Sequence, residues 1–221
     1  MAGRSRESCQ RTARGFGALF WCLLWAMAGA AYAGVTAEKS ADALFWALVG
    51  YWPLGAWALR RLGRDEAFGD HRGLLRTVAV LAVTTAGLSP MAVWWRLYPK
   101  NAFFACNTAL YAGTGLLLLF AMMRLVAAYG AGAGDRGLKI EADAATTALA
   151  FTLALCVAAL WWLMRDLPDR SVPALMRHYL QIHAASRFCV TALVFGLVAY
   201  PVRLARQAAL SEAAGADGAE A

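Results

Sequence analysis

Six stretches of this chain contain no charged residue, and their length decides what the chain can become. They run between Arg14 and Glu38, Asp42 and Arg60, Arg76 and Arg96, Lys100 and Arg124, Asp143 and Arg165, and Arg187 and Arg203. A helix that spans the hydrocarbon core of a bilayer needs about 20 mainly apolar residues, with a usual range of about 17–25. Composition agrees: 61% of the 221 residues are apolar and 16% are charged, against about 45–50% and about 25% in soluble domains. The expected fold class is an all-α integral membrane protein with six transmembrane helices, at roughly 16–36, 42–60, 75–96, 102–125, 144–165 and 186–204. The last block is short. It spans if Arg187 and Arg203 extend their charged heads to the two interfaces.

This places a basic cytoplasmic tail at 1–15, a membrane domain at 16–204 and a small, acidic, disordered tail at 205–221. The Gly-rich stretch 129–137 is expected to be a flexible loop. The first block has a second reading. It follows Arg4, Arg6, Arg11 and Arg14 and ends in Ala31-Tyr32-Ala33, the layout of a cleavable signal over 1–33. Its apolar run continues to Val35, which favours an uncleaved helix.

The net charge of +7 would suggest nucleic acid in a soluble protein. In a membrane protein it is first sorted by side, because Lys and Arg near helix ends set orientation. With the amino terminus inside, fourteen Lys and Arg fall inside (4, 6, 11, 14, 60, 61, 64, 72, 76, 124, 136, 139, 203, 206) and seven outside (39, 96, 100, 165, 170, 177, 187). The expectation is an inner (plasma) membrane protein with both termini in the cytoplasm. The lipid bilayer is its first partner, a membrane protein or small apolar ligand its second, and no nucleic acid is expected.

The chain also compares with itself. Cys106-Asn107-Thr108-Ala109-Leu110 and Cys189-Val190-Thr191-Ala192-Leu193 share C-x-T-A-L, and Ser40-Ala41-Asp42-Ala43-Leu44 follows it with polar exchanges. Thr84-Thr85-Ala86 leads to Trp94-Trp95 as Thr146-Thr147-Ala148 leads to Trp161-Trp162. Three helical hairpins in a weak parallel repeat are expected. From Trp95 to Cys106 is 11 positions and from Trp162 to Cys189 is 27, so the third hairpin carries a long outer loop. Long loops in compact proteins are often functional.

Binding is expected at that loop, 166–187, and at the aromatic ends beside it. Arg177, His178 and Arg187 would meet ligand, lipid headgroups or a partner, with Trp94, Trp95, Trp161 and Trp162 at headgroup level. Ser171-Val172-Pro173 is a helix start, and the segment after it reads as interfacial and amphipathic. His178 and His183 are five apart, about 140° around a helix, and His71 falls on the other side of the membrane. No metal site is expected, and no cofactor. There is no Walker loop, GxSxG, HExxH or paired Glu. No ionisable residue lies near the middle of a span, which argues against a proton-driven pump.

Small-xxx-small pairs at Ala26/Ala30, Gly29/Ala33 and Ala82/Ala86 permit close helix contact. Pro53, Pro90 and Pro201 fall inside apolar blocks, where a proline breaks a helix or leaves a kink that neighbouring Ser or Thr fills.

The first functional expectation is a non-enzymatic binding or transport-associated protein, or a complex subunit. A binding role requires a polar cavity near Tyr51, Tyr111 and Tyr200. The alternative is an enzyme of the outer leaflet. Cys106, Arg165 and His183 are its catalytic residues, since a thiol beside Arg and His can act as a nucleophile. In that order they resemble the exosortase and archaeosortase class, which implies membrane transpeptidase or protease chemistry. The Asn and Arg spacing of that class's intervening helix is absent here, as is a Ser-Gly after the Cys. Cys106 and Cys189 also occupy equivalent repeat positions where a disulfide is an option. Six helices with Ala-xxx-Ala on the first also resemble the substrate-binding subunits of vitamin importers.

Overall fold

A computed structural model describes residues 6–35, 41–63, 66–165, 171–175 and 182–219. Among them there is no strand. The helices are α1 (Arg6–Val35), α2 (Ala41–Val49), α3 (Trp52–Leu62), α4 (Arg72–Leu97), α5 (Ala102–Ala133), α6 (Arg136–Met164) and α7 (Ala184–Ala219), with a 3-10 segment at Glu66–His71. Five are long and apolar enough to cross a membrane, over Arg6–Ala33, Arg72–Leu97, Ala102–Ala133, Arg136–Ala159 and Ala184–Gly215. The chain is thus compatible with a multi-pass membrane protein.

The second apolar block is not one helix. It divides between α2 and α3 at Gly50 and Tyr51. Pro53 has no N–H to give the carbonyl of Val49, and its ring crowds the preceding turn. Neither half reaches spanning length alone.

α1 is the axis. It packs on α7, α3 and α2, while α4 packs on α5, α5 on α6, and α6 on α7. Inside lipid there is little hydrophobic drive for helices to associate, so close packing and hydrogen bonds hold them. Cys22, Ala26, Gly29 and Ala33 follow one another at i+4, i+3 and i+4, a single helical stripe. Cys22 and Ala26 pack with Tyr51, and Ala33 with Leu48. A Cβ placed on Gly29 would fall 1.8 Å from the carbonyl oxygen of Ala47, so only glycine lets the two backbones approach there.

At the end of the bundle that holds both chain termini, the packing is aromatic. Phe16 of α1 meets Tyr129 of α5 edge-on, with centroids 5.1 Å apart, and Phe68 of the 3-10 segment stacks on Tyr129 at 5.9 Å. The Tyr129 hydroxyl donates to Glu212 of α7 at 3.5 Å, and the Cys9 thiol lies 3.7 Å from the same carboxylate oxygen.

Three expectations change here. The basic segment 1–15 is helical from Arg6, with Cys9, Thr12 and Ala13 buried. The tail read as disordered continues α7 to Ala219. Its Ala205, Ala209 and Ala213 recur every fourth residue and are buried, so a small, acidic composition hid a packing stripe. The Gly-rich stretch is helical to Ala133 and then turns tightly. Gly134 takes a left-handed φ of 75°, and Asp135 Oδ1 accepts the Leu138 N–H at 3.0 Å to start α6.

Pro90 lies inside α4 without ending it. It removes the donor owed to the Ala86 carbonyl, and the Ser89 hydroxyl donates to that carbonyl at 2.7 Å. Ser89→Ala is expected to lower stability by about 1–2 kcal/mol, read as a fall in Tm in detergent. Gly29→Val is expected to cost about 1–3 kcal/mol or more through overpacking. Gly17→Ala is a milder control, because its Cβ would meet only the flexible Arg206 side chain, 3.2 Å away. Equal Tm values for the two glycine variants would contradict the close approach at Gly29.

Candidate functional site

The described residues expected to act at the far end of the bundle lie on or beside three elements. Cys106 is exposed in the second turn of α5. Arg165 follows α6 and lays its guanidinium 5.9 Å from the Trp162 ring centroid. His183 caps α7: its Nδ1 accepts from the Ala185 N–H at 3.3 Å, and its carbonyl accepts from Ser186 and Arg187. Among the described residues, no hydrogen bond joins Cys106, Arg165 and His183. Cys106 and Cys189 are both free thiols. Arg187 is half-buried in the first turn of α7. Arg177 and His178 lie outside the described residues. Ser171 does start a helical turn, accepting the Ala174 N–H on its hydroxyl.

The tryptophans divide. Trp161 and Trp162 are exposed, and Trp94 stacks with Tyr98 and Phe104 at 6.3 and 6.2 Å. Trp95 is buried and belongs to the packing. The tyrosines divide as well. Tyr51 and Tyr111 bond each other through their hydroxyls at 3.1 Å. Tyr200 is exposed, in a shallow groove of about 470 Å³ between α6 and α7 that also includes Glu141. Among the described residues, no group of three His, Cys, Asp or Glu could hold a metal ion.

A larger groove than the one beside Tyr200 lies elsewhere, between α3 and α4, at the end that carries the start of α1 and the last part of α7. It is an open groove of about 700 Å³. On α3 it is lined by Trp52, Ala56, Leu59 and Arg60, with Gly63 just beyond, and these spacings of three and four place them on one helix face. The α4 wall is another single stripe, beginning at Arg72 and Arg76 and continuing through Ala79, Ala82, Val83 and Ala86. The helices run antiparallel, so Arg60 meets Arg72 and Arg76 while Trp52 and Ala56 meet the small apolar residues. One end of the groove is cationic and the other apolar, and among the described residues no carboxylate lines it.

The break at Tyr51 explains the opening. α2 packs on both α1 and α4, whereas α3 stays with α1 and touches α4 less. Alanines at 56, 79, 82 and 86 leave the gap unfilled. The indole Nε1–H of Trp52 is buried there and donates no hydrogen bond among the described residues. Arg61 turns away and sits 4.8 Å from the Trp57 ring centroid.

No protein family, curated protein or solved structure matches the chain. The reading of this groove therefore rests on its own chemistry.

Sequence reasoning missed the groove. Arg60, Arg72 and Arg76 were counted for orientation only. The available signal was the heptad-like recurrence 72, 76, 79, 83, 86, which continues two arginines into small residues.

The thiols give a direct check. In detergent, Cys106 and Cys189 are expected to react with a maleimide in the folded state. The buried Cys9 and Cys22 should react only on unfolding. A slow Cys106 would mean that the start of α5 is covered.

Proposed function

We propose that this is a non-enzymatic, six-crossing membrane protein with both termini in the cytoplasm, and that it binds an amphiphile in the α3–α4 groove. The observation that carries the reading is the groove's polarity, with three guanidiniums at one end and a small-residue apolar wall at the other.

The crossing number has its own support. Cys9 and Glu212 are 3.7 Å apart, so the start of α1 and the last part of α7 share a side. Five crossings would separate them. α2 and α3 with the two residues between them cover 41–62, about 33 Å at 1.5 Å per residue, enough for the missing return. Broken helices are tolerated in membranes where the freed backbone is buried in protein. The Tyr51 carbonyl accepts from Gly55 at 3.2 Å and lies 3.6 Å from the Cys22 sulfur. The two-to-one distribution of Lys and Arg supports a cytoplasmic location for the shared side.

A photoreactive phospholipid with a diazirine in its acyl chain tests the site. In vesicles it is expected to label α3 and α4 near Ala56, Ala79 and Ala82. The groove-filling pair Ala79→Leu and Val83→Phe, the latter at an exposed groove position, should reduce that labelling about fivefold or more while Tm stays within a few degrees. Labelling spread evenly over the exposed faces of α1, α4 and α6 would sink the reading.

A further inference from the structure

Resting on that reading, we infer that the occupant is an anionic phospholipid of the cytoplasmic leaflet, its phosphate held by Arg60, Arg72 and Arg76 and one acyl chain lying along Ala79, Ala82, Val83 and Ala86.

Length is the first argument. Arg76 to Ala86 is ten residues of helix, about 15 Å at 1.5 Å per residue. The hydrocarbon core is about 30 Å thick, so the apolar wall matches the depth of one leaflet. The cationic end then falls at the headgroup level of the side where α3 ends and α4 begins. A free anion has no use for an apolar wall of this length, and a fatty alcohol or hydrocarbon has none for three guanidiniums.

Charge is the second. Arg60 sits in the last turn of α3, where the helix dipole favours a cation. Arg72 and Arg76 sit in the first turns of α4, where it does not. Their placement there, facing a third arginine, is unfavourable by itself and is relieved by an anion between them. Guanidinium presents a planar fork of donors that fits phosphate oxygens in pairs. A zwitterionic headgroup also carries a phosphate, but brings its own ammonium to the same crowded cations. Net anionic lipid is therefore preferred, by about fivefold per engaged arginine.

Shape is the third. The groove lies between two helices of the bundle and is open rather than enclosed. A lipid enters without leaving its leaflet.

The experiment uses the full-length protein in vesicles of phosphatidylcholine containing an equal share of phosphatidylglycerol. Extraction in mild detergent and native mass spectrometry then count the retained lipid. Phosphatidylglycerol is expected to be retained over phosphatidylcholine by about a hundredfold. The preference should fall to below about twofold when Arg60, Arg72 and Arg76 are all Gln, and should return in part when all three are Lys. Inorganic phosphate at millimolar concentration should not displace the lipid. Displacement by phosphate would overturn the proposal in favour of a free-anion site. Equal retention of the two lipids, with the acyl label still mapped to the groove, overturns the anionic lipid and leaves the amphiphile reading standing. That result would follow if Asp65, Glu66 and Asp70, which lie between the two helices in sequence, neutralised the arginines. A preference unchanged in the triple Gln variant also overturns it. Absence of both retained lipid and groove labelling removes the amphiphile reading itself. The Lys variant guards against a fold defect, since it keeps the charge and changes only the donor geometry.

Discussion

A membrane interior supplies no water to backbone groups, so each N–H and C=O must find a partner within the protein. Pro53 puts this constraint in the middle of the second apolar block. The helix stops before it, α2 packs on both α1 and α4 while α3 keeps mainly to α1, and α3 no longer closes against α4. The break is affordable because α1 receives it. Gly29 admits the backbone at Ala47, the Cys22 thiol reaches toward the Tyr51 carbonyl, and Gly55 leaves room beneath Cys22 with its Cβ position only 3.1 Å from the sulfur. A larger residue at any of these three positions would push the broken helix off its support. Pro90 shows the contrasting solution. There a single serine hydroxyl takes the place of the lost N–H, and α4 runs on.

Different forces hold the two regions of the bundle. Between Cys22 and Ala33 the contact is van der Waals packing of small residues, the ordinary means by which helices associate in lipid. At the end with the termini, Phe16, Phe68 and Tyr129 are fully buried near water, and hydrophobic burial contributes as it does in a soluble core. Tyr129 joins both, since its ring fills the aromatic cluster and its hydroxyl ties α5 to Glu212 on α7. This cluster fixes the base of α1, and therefore fixes the platform on which α3 lies.

Much of the fold was legible because charge-free length is a strong signal. Three of the six expected spans fall within single long helices, α4, α5 and α7, and the first and fifth lie almost wholly within α1 and α6. What was not legible depended on a partner. Pro53 read as either a break or a kink until α1 showed where the freed groups go. Ala205, Ala209 and Ala213 read as low complexity until α1 supplied the surface they cover. Gly134 read as flexibility, although its left-handed turn makes the opposite, a tight connection. The site follows the same pattern. The long loop 166–187 stands out in one dimension, and it drew attention to Arg165, Arg177, His178 and His183. The groove exists only when Arg60 is set against Arg72 and Arg76, which no single window of sequence contains.

The two roles of these arginines are one physical property at two ranges. Lys and Arg at the cytoplasmic ends of helices orient a membrane protein through interactions that need no fixed partner, and each gains about 1 kcal/mol beside an anionic leaflet. Such contacts are normally exchanged among passing lipids. Three arginines that line one groove on two helices differ because the fold sets their backbone positions on facing helices. The ordering cost is then already met by the packing of α3 on α1 and α4 on α5, and the separate weak attractions act on one headgroup. An apolar wall below them holds the chain of that same molecule, so headgroup and tail add rather than compete. Orientation requires only that the charges be on one side. Binding requires that they converge, and the Pro53 break is the feature that makes them do so.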